Sequence, residues 1–534
     1  MSEQQRLFAA IALSLGIFLV WQYFIVPPPK APHKAAPVTV AAPVVVPPAA
    51  PATLEQAVPV VAPTLEAAPT ALVTFATPLV SGTVSSERGA LVQLDLSRYL
   101  ERGEAKGTQK PVSLVPHAQE GTPAGQAVLD VDVGGEAVVG YTLVDRQGTL
   151  VLTRRTSSGV VAEVQITPRT DAYVLDYVVT LHNDGPEPAT TRGALRFRLP
   201  VPKEKGSMFS PQADIVGALC DVGGSLKRLH ASDLETQAWL STQPGVWGGL
   251  DRHYFVVAAV ATDAQTLGCE ASATAEAMTL SLGLGEKTLA AGERVERKLA
   301  LFVGPKRQQE LERVSPLLAQ AIDYNLWGIP LGFLSRPMVF LLNTFHGWTA
   351  SWGMAIMLLT LLVKLILFPV TYKSAVSMRR MQLLKPEMDK LKVRFEGDRE
   401  RQQVELMKLY REKGVNPFGG CLPMLMQMPV WFALYRTLWT AVDLYQQSFL
   451  WVPDLTAKEP FPIMALVLGA LTFVQQKLTP TPDSQQAKIM LYVMPVMLTV
   501  FMIALPSGLV LYILVNSVLT IAQQLVINRR QVAL

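Results

Sequence analysis

Cysteine and histidine are scarce in this chain, three and six among 534 residues. Three cysteines, Cys220, Cys269 and Cys421, cannot build a disulfide framework. A Cys220–Cys269 bridge fits an oxidising compartment, and two buried free thiols fit as well. His117, His182, His230 and His253 show no metal-ligand spacing and no nucleophile partner, so they read as ordinary core or surface side chains. Acids are missing where they would matter most. The five apolar runs after residue 350 contain no Asp, Glu or His. Proton- or cation-coupled transporters rely on an intramembrane acid, and a thiol hydrolase at Cys421 would need a base beside it. Neither class is supported. Net charge is only +4, too small to mark the whole chain as a nucleic-acid binder.

Half of the residues are apolar, but they are unevenly distributed. Leu7 to Val26 is about twenty apolar residues, long enough to span a bilayer and longer than a secretory h-region. Residues 1–26 are therefore expected to form a signal-anchor span, with Trp21 and Tyr23 at the interface. Residues 27–69 are nearly all Pro, Ala and Val, an extended spacer that cannot bury a core.

Residues 70–314 carry strand patterning. In "YVLDYVVTLHNDG", Tyr173, Leu175, Tyr177, Val179 and Leu181 share a face, and Asn183-Asp184-Gly185 supplies the turn. Many short strands without βαβ alternation predict a large antiparallel β-sandwich. Nothing in it looks catalytic. Residues 315–351 are amphipathic and interrupted by Gly and Pro, which suits an interfacial helix. Residues 352–534 hold five candidate spans: 352–371, 421–442, 462–478, 489–505 and 508–527.

Charge orients them. Loop 373–414 carries 12 Lys/Arg against 7 Asp/Glu, whereas loop 443–462 has one Lys and three acids. Lys477, Lys488, Arg529 and Arg530 mark two further basic ends. The positive-inside rule places the basic loops and both termini in the cytoplasm and the β-domain outside. Six spans result. Within loop 373–414, Met378, Met381, Leu384, Met388, Leu391 and Phe395 form one apolar stripe, and Val404, Met407 and Tyr410 form another. Two helices in an antiparallel hairpin follow. The stripes either hold the hairpin together or offer soft methionine surface to apolar segments.

One residue breaks the pattern. Lys364 lies inside the run "SWGMAIMLLTLLVKLILFPVTYKSAV", where a lysine costs about 2.5–3.5 kcal/mol on insertion scales. Snorkelling is one account, but the cytoplasmic end at Lys373 is nine residues on, about 13 Å by helical rise. The other account is a wet, positively charged recess open to the cytoplasm. Thr360 shares its helix face, and Gln427, Thr472, Gln475, Asn516, Thr520 and Gln523 are polar groups on other spans. Arg436 lies near the outer end beside Asp443, where snorkelling explains it.

The stretches "NPFGGCLPMLMQMPVWFALY" (416–435), "FPVTYKSAVSMRRMQLLKPEM" (368–388) and "PSGLVLYILVNSVLTIAQQ" (506–524), with "LFVGPK" (301–306), closely resemble the YidC membrane-protein insertases of Gram-negative type. The resemblance covers nearly the whole chain. It implies a chaperone-like insertase rather than an enzyme, without cofactor, metal or small-molecule substrate. It also implies a bacterial inner-membrane protein with a periplasmic β-domain and a hydrophilic groove holding one positive charge, commonly arginine and here Lys364. Thr360, Trp431, Leu468, Phe501 and Tyr512 match positions along the family's substrate path, and Gln427 and Asn516 join them as candidate contacts. A tyrosine that often follows Tyr512 is replaced by Ile513. The implied partners are nascent membrane proteins, the Sec translocon with its accessory subunits, membrane lipids and the ribosome, reached through loops 373–414 and 477–488. Two other classes compete: a solute transporter, which would need inverted repeats that the spans lack, and an assembly factor acting through its external β-domain.

Overall fold

The computed structural model describes residues 71–529, apart from 87–88, 102–108, 116–127, 134–139, 202–216, 264, 327, 415–421 and 479–484. The anticipated first span, the Pro/Ala spacer and Cys421 lie outside the described residues. Residues 67–326 and 330–534 make one compact unit, in which a β-sandwich leads into helices.

Two nine-stranded antiparallel sheets build the sandwich. One runs from the edge strand Leu72–Ala76 to Trp239–Leu240, the other from Ser225–His230 to Thr142–Arg146. The alternation in Val174–Asn183 does what its period dictates: Tyr173, Leu175, Tyr177, Val179 and Leu181 are all buried. The turn that follows is set by Asn183. Its Oδ1 accepts from Gly185 N at 2.9 Å, and its Nδ2 donates to the carbonyls of Glu187 (2.8 Å) and Leu289 (2.9 Å). That buried amide has no unmet donor, so its hydrogen bonds offset the cost of burying it.

Cys220 and Cys269 form a disulfide with Cα atoms 6.2 Å apart. The two cysteines lie on strands Gly217–Val222 and Gly268–Ala273, which belong to different sheets. Both sulfurs are buried, so the bridge fastens the two layers through the core. Of the two options the sequence left open, the bridged one is realised.

The β-domain reaches further than its expected end at 314. Helix α1 (Gln308–Val314) and the 3-10 turn Pro316–Ala321 bury Leu311, Leu318 and Ala321 in the sandwich core. Ser315 caps that turn and Pro316 starts it. The amphipathic helix, α2 (Gly332–Thr349), thus fills only the later part of 315–351. Phe333, Phe340 and Trp348 are exposed on it, while Met338, Leu342 and Phe345 face the bundle.

The later helices are α3 (Trp352–Leu383), α4 (Lys385–Arg394), α5 (Arg399–Glu412), α6 (Leu422–Thr440), α7 (Ile463–Leu478), α8 (Gln485–Ile503) and α9 (Ser507–Arg529). All five candidate spans are helical. Trp352–Met381 and Ser507–Ile527 are long and apolar enough to cross a membrane; Ile463–Lys477 and Leu491–Ile503 are shorter apolar stretches. The helices α3 and α9 pack together, α9 also on α7, and α8 on α7.

The hairpin departs from its two simple stripes. At Leu384 the first stripe breaks between α3 and α4, where Pro386, in the first turn of α4, has no N–H with which to continue the hydrogen-bond ladder of α3. Leu384 itself is buried. In α5, which Asp398 caps by accepting from Arg401 N at 3.1 Å, Val404 and Met407 are exposed, 55% and 51%. Two stripe members do meet, Tyr410 donating to Met388 Sδ (3.5 Å), and Lys413 bonds Glu387 (3.2 Å); Leu409 is buried as well.

Candidate functional site: a lysine between two helices

The apolar core of the bundle is concentrated at one end. Ala355, Ile356, Leu359 and Thr360 of α3 are buried, as are Leu509 to Tyr512 of α9. Beyond Lys364, α3 turns outward, with Leu365, Ile366 and Phe368 exposed. There polar pairs replace apolar packing. Lys364 Nζ donates to Thr520 Oγ1 at 2.8 Å, and Gln523 Nε2 donates to Thr371 Oγ1 at 3.0 Å. Residue numbers rise together along both helices, so α3 and α9 run parallel. This agrees with both entering from the same side.

Helical spacing explains the arrangement on α9. Asn516, Thr520 and Gln523 fall at intervals of four and three and share a face. Thr520 donates to its own helix at Asn516 O (2.6 Å), which leaves its lone pairs for the lysine. Lys364 is half-buried, and among the described residues no carboxylate stands within ion-pair distance of it. One hydroxyl acceptor orients the ammonium without neutralising it. A cation held this way keeps its field for whatever enters beside it.

Higher on α9, Tyr512 is buried and accepts at its hydroxyl from Gln427 Nε2 of α6 (3.0 Å). Thr360 is also buried, its hydroxyl donated to Ile356 O (2.7 Å). Leu468 lies fully inside the bundle core, with Trp431 and Phe501 packed at its edge. The candidate residues therefore divide. Lys364 pairs with Thr520 of α9 and Gln427 of α6 with Tyr512 of α9, Asn516 offers its carbonyl to Thr520, and Thr360 and Leu468 are buried. Thr371 was not singled out from the sequence; its offset of seven from Lys364, two helical turns, was the available signal. No group of three or more His, Cys, Asp or Glu side chains able to hold a metal occurs among the described residues.

The C-terminal end of α6 is fastened to the β-domain. Trp431, Tyr435 and Trp439 stack at successive i, i+4 positions with centroids 6.1 and 5.6 Å apart. Trp439 then meets His253, whose Nε2 lies 2.8 Å from the Trp439 carbonyl. Past the helix, Val442 and Tyr445 enter the sandwich core. Tyr445 packs against Tyr99, Tyr254 and Phe255 and donates to Leu100 O at 2.8 Å. Asp443 accepts from Arg307. Arg436 consequently does not pair with Asp443: it bonds Asp323 at 2.6 Å, since Asp443 sits on the 3-10 turn after the helix and faces α1. Nearby, Asp251 joins Lys306 (2.9 Å) and Arg228 (3.0 Å). Burial pushes the Lys306 ammonium below the usual lysine range, and Asp251 opposes that shift.

Two family models match in tandem. That described as "YidC periplasmic domain" covers residues 72–341, and "60Kd inner membrane protein" covers 344–533. A relative from Anaeromyxobacter dehalogenans (strain 2CP-C), named "Membrane protein insertase YidC", is 36% identical over 553 residues, spanning 99% of this chain and 98% of its own. A like-named protein of Nitrosococcus oceani is 37% identical over 73% of this chain and 71% of its own. A solved structure described as "Active YidC insertase crystal structure with the first transmembrane domain resolved" is 20% identical, covers 84% of this chain and 91% of its own, and superposes with a TM-score of 0.38. With both halves matched in order and relatives aligned end to end, the chain belongs to the YidC membrane protein insertase family.

Proposed function

We propose that the protein inserts nascent membrane proteins into the bacterial inner membrane, using the Lys364 seam as a hydrophilic groove open to the cytoplasm and to lipid. The observation that carries this reading is a half-buried ammonium bonded to one neutral hydroxyl between two apolar helices. Such a charge draws a short polar or acidic segment of substrate into the bilayer and shortens its path through hydrocarbon. The apolar part of the substrate then leaves sideways into lipid, and burial of that helix supplies the free energy. No covalent bond is made or broken.

The reading includes six spans with both termini cytoplasmic and the β-domain periplasmic, as the loop charges argue. Gln427, Tyr512 and Asn516 provide polar contacts along the seam, with Trp431 and Phe501 at its apolar margin and Thr360 and Leu468 behind it. The basic hairpin α4–α5 and loop 477–488 meet the ribosome, and the protein works alone or with the Sec translocon and its accessory subunits.

The test is reconstitution of the purified protein alone in liposomes, with protease protection of a newly made two-span membrane protein. Protection well above empty liposomes is expected. Protection equal to empty liposomes, with the protein folded, sinks the reading.

A further inference from the structure

We propose that the loop between α6 and α7 carries an apolar knuckle, Leu450 and Trp451 with Phe461 beside it, that enters the lipid boundary of the outer leaflet. The proposal rests on the membrane-spanning reading above and adds a contact that the reading does not require.

The knuckle is a tight hairpin. Phe449 N donates to Val452 O and Val452 N to Phe449 O, each at 2.9 Å, so Leu450 and Trp451 are its two turn residues. Leu450 has φ +54, a left-handed conformation that asparagine or glycine adopts far more readily. A leucine in that place is 74% exposed. Strain and solvent exposure together are a poor use of a leucine in water, and both make sense if the side chain has an apolar medium.

Its surroundings are built to point it. Val452 is buried and anchors the hairpin base. Phe449 lies against Gly353 at the start of α3, where an added Cβ would meet its ring. The Trp451 indole Nε1 donates to Glu459 at 2.6 Å, and the same carboxylate accepts from Met464 N of α7 at 3.0 Å. The indole dipole is thus satisfied within the protein, and the rest of the ring faces outward. Asp454 likewise turns inward, accepting from Thr456 N (2.8 Å) and Gln446 N (3.1 Å). Both carboxylates that would resist entry into lipid are consumed as internal acceptors.

The occupant follows from continuity. Phe461 is 69% exposed, and the apolar surface runs on through exposed Ile463, Leu466 and Val467 of α7, one of the candidate spans. Trp348, at the end of α2 just before α3, is exposed as well. A surface that continues an apolar helix wall, with no charge on its two turn residues, an aromatic at its rim and one exposed lysine, Lys458, long enough to reach the headgroups, fits the acyl–glycerol boundary of a phospholipid leaflet.

The experiment uses the full chain with Cys421→Ser, the other two cysteines being bonded to each other. Single cysteines replace Leu450, Leu466 on α7 or Thr142 at the exposed sheet edge. Each is labelled with an environment-sensitive fluorophore in phosphatidylcholine–phosphatidylglycerol vesicles. Spin-labelled lipid and aqueous iodide serve as quenchers. Position 450 is expected to lose fluorescence to spin-labelled lipid as position 466 does, and to resist iodide where 142 does not. Iodide quenching at 450 equal to that at 142 overturns the proposal. Protection from both quenchers also overturns it, by pointing to a protein partner or a second copy. If position 466 too is quenched only by iodide, the membrane-spanning reading itself fails, which separates the two failures.

Discussion

At Lys364 a single hydroxyl decides how the charge is presented. Thr520 orients the ammonium at 2.8 Å but leaves its charge intact, and a guanidinium in the same place would add a second fixed donor. Lys364→Arg should therefore keep insertion, while Lys364→Glu should abolish it for substrates whose translocated segment is acidic. Equal protease protection by Lys364→Glu and wild type would refute the attraction mechanism. Thr520→Val is a separate test of the contact. Loss of an acceptor from a charged, half-buried donor costs about 1–3 kcal/mol, so that variant should melt earlier in detergent, and Thr520→Ser should not. The charge was legible from the sequence because a lysine in an apolar run has few explanations. Its acceptor was not. Thr520 stood among six polar candidates on three helices, and only the packing of α3 on α9 selects it. Arg436 shows the opposite hazard: proximity along the chain suggested Asp443, but that acid belongs to a turn aimed at Arg307, and Asp323 arrives from more than a hundred residues away.

Among the helices, close approach is set by single small residues. A Cβ on Gly469 of α7 would lie 2.0 Å from Thr499 Oγ1 of α8. That hydroxyl is fixed by its bond to Pro495 O at 2.8 Å, so it cannot simply swing away. α8 packs chiefly on α7, with Met502 of its last turn in the bundle core. Gly469→Ala is expected to cost about 1–3 kcal/mol by overpacking, and Thr499→Ala in the same chain should restore most of it. Thermal unfolding of the single and double variants measures both; an unshifted single variant would show that α8 can slide freely. Period-two strands were readable in advance, since one buried face dictates alternation whatever the partner strand. The hairpin α4–α5 was readable only as two helices. Spacing alone left both uses of its stripes open: Val404 and Met407 are exposed, whereas Tyr410 meets Met388. Those exposed apolar side chains favour the reading in which the hairpin offers adaptable surface.

For the molecule as a whole, two fastenings answer different needs. The Cys220–Cys269 bridge closes a 49-residue separation between the two sheets, and removing such a bond costs about 2–4 kcal/mol. Cys220→Ala with Cys269→Ala should lower the unfolding temperature of the β-domain yet leave insertion intact if the helices alone do the work. Loss of insertion would move the activity toward the β-domain, as an assembly factor requires. The second fastening is the seat of Val442 and Tyr445 in the sandwich core, backed by Arg307–Asp443 and Arg436–Asp323. It joins the β-domain to α6, the helix that also carries Gln427, bonded to Tyr512 of α9, and Trp431. Tyr445 fills an aromatic pocket of Tyr99, Tyr254 and Phe255, and truncating such a side chain costs about 3–5 kcal/mol. With the seat intact, sandwich and bundle should unfold in a single transition; Tyr445→Ala with Asp443→Asn should resolve two. Calorimetry of the detergent-solubilised protein distinguishes these outcomes. One transition in both proteins would show that the domains are coupled elsewhere. Two in both would show that the seat, though buried, never joined their stabilities.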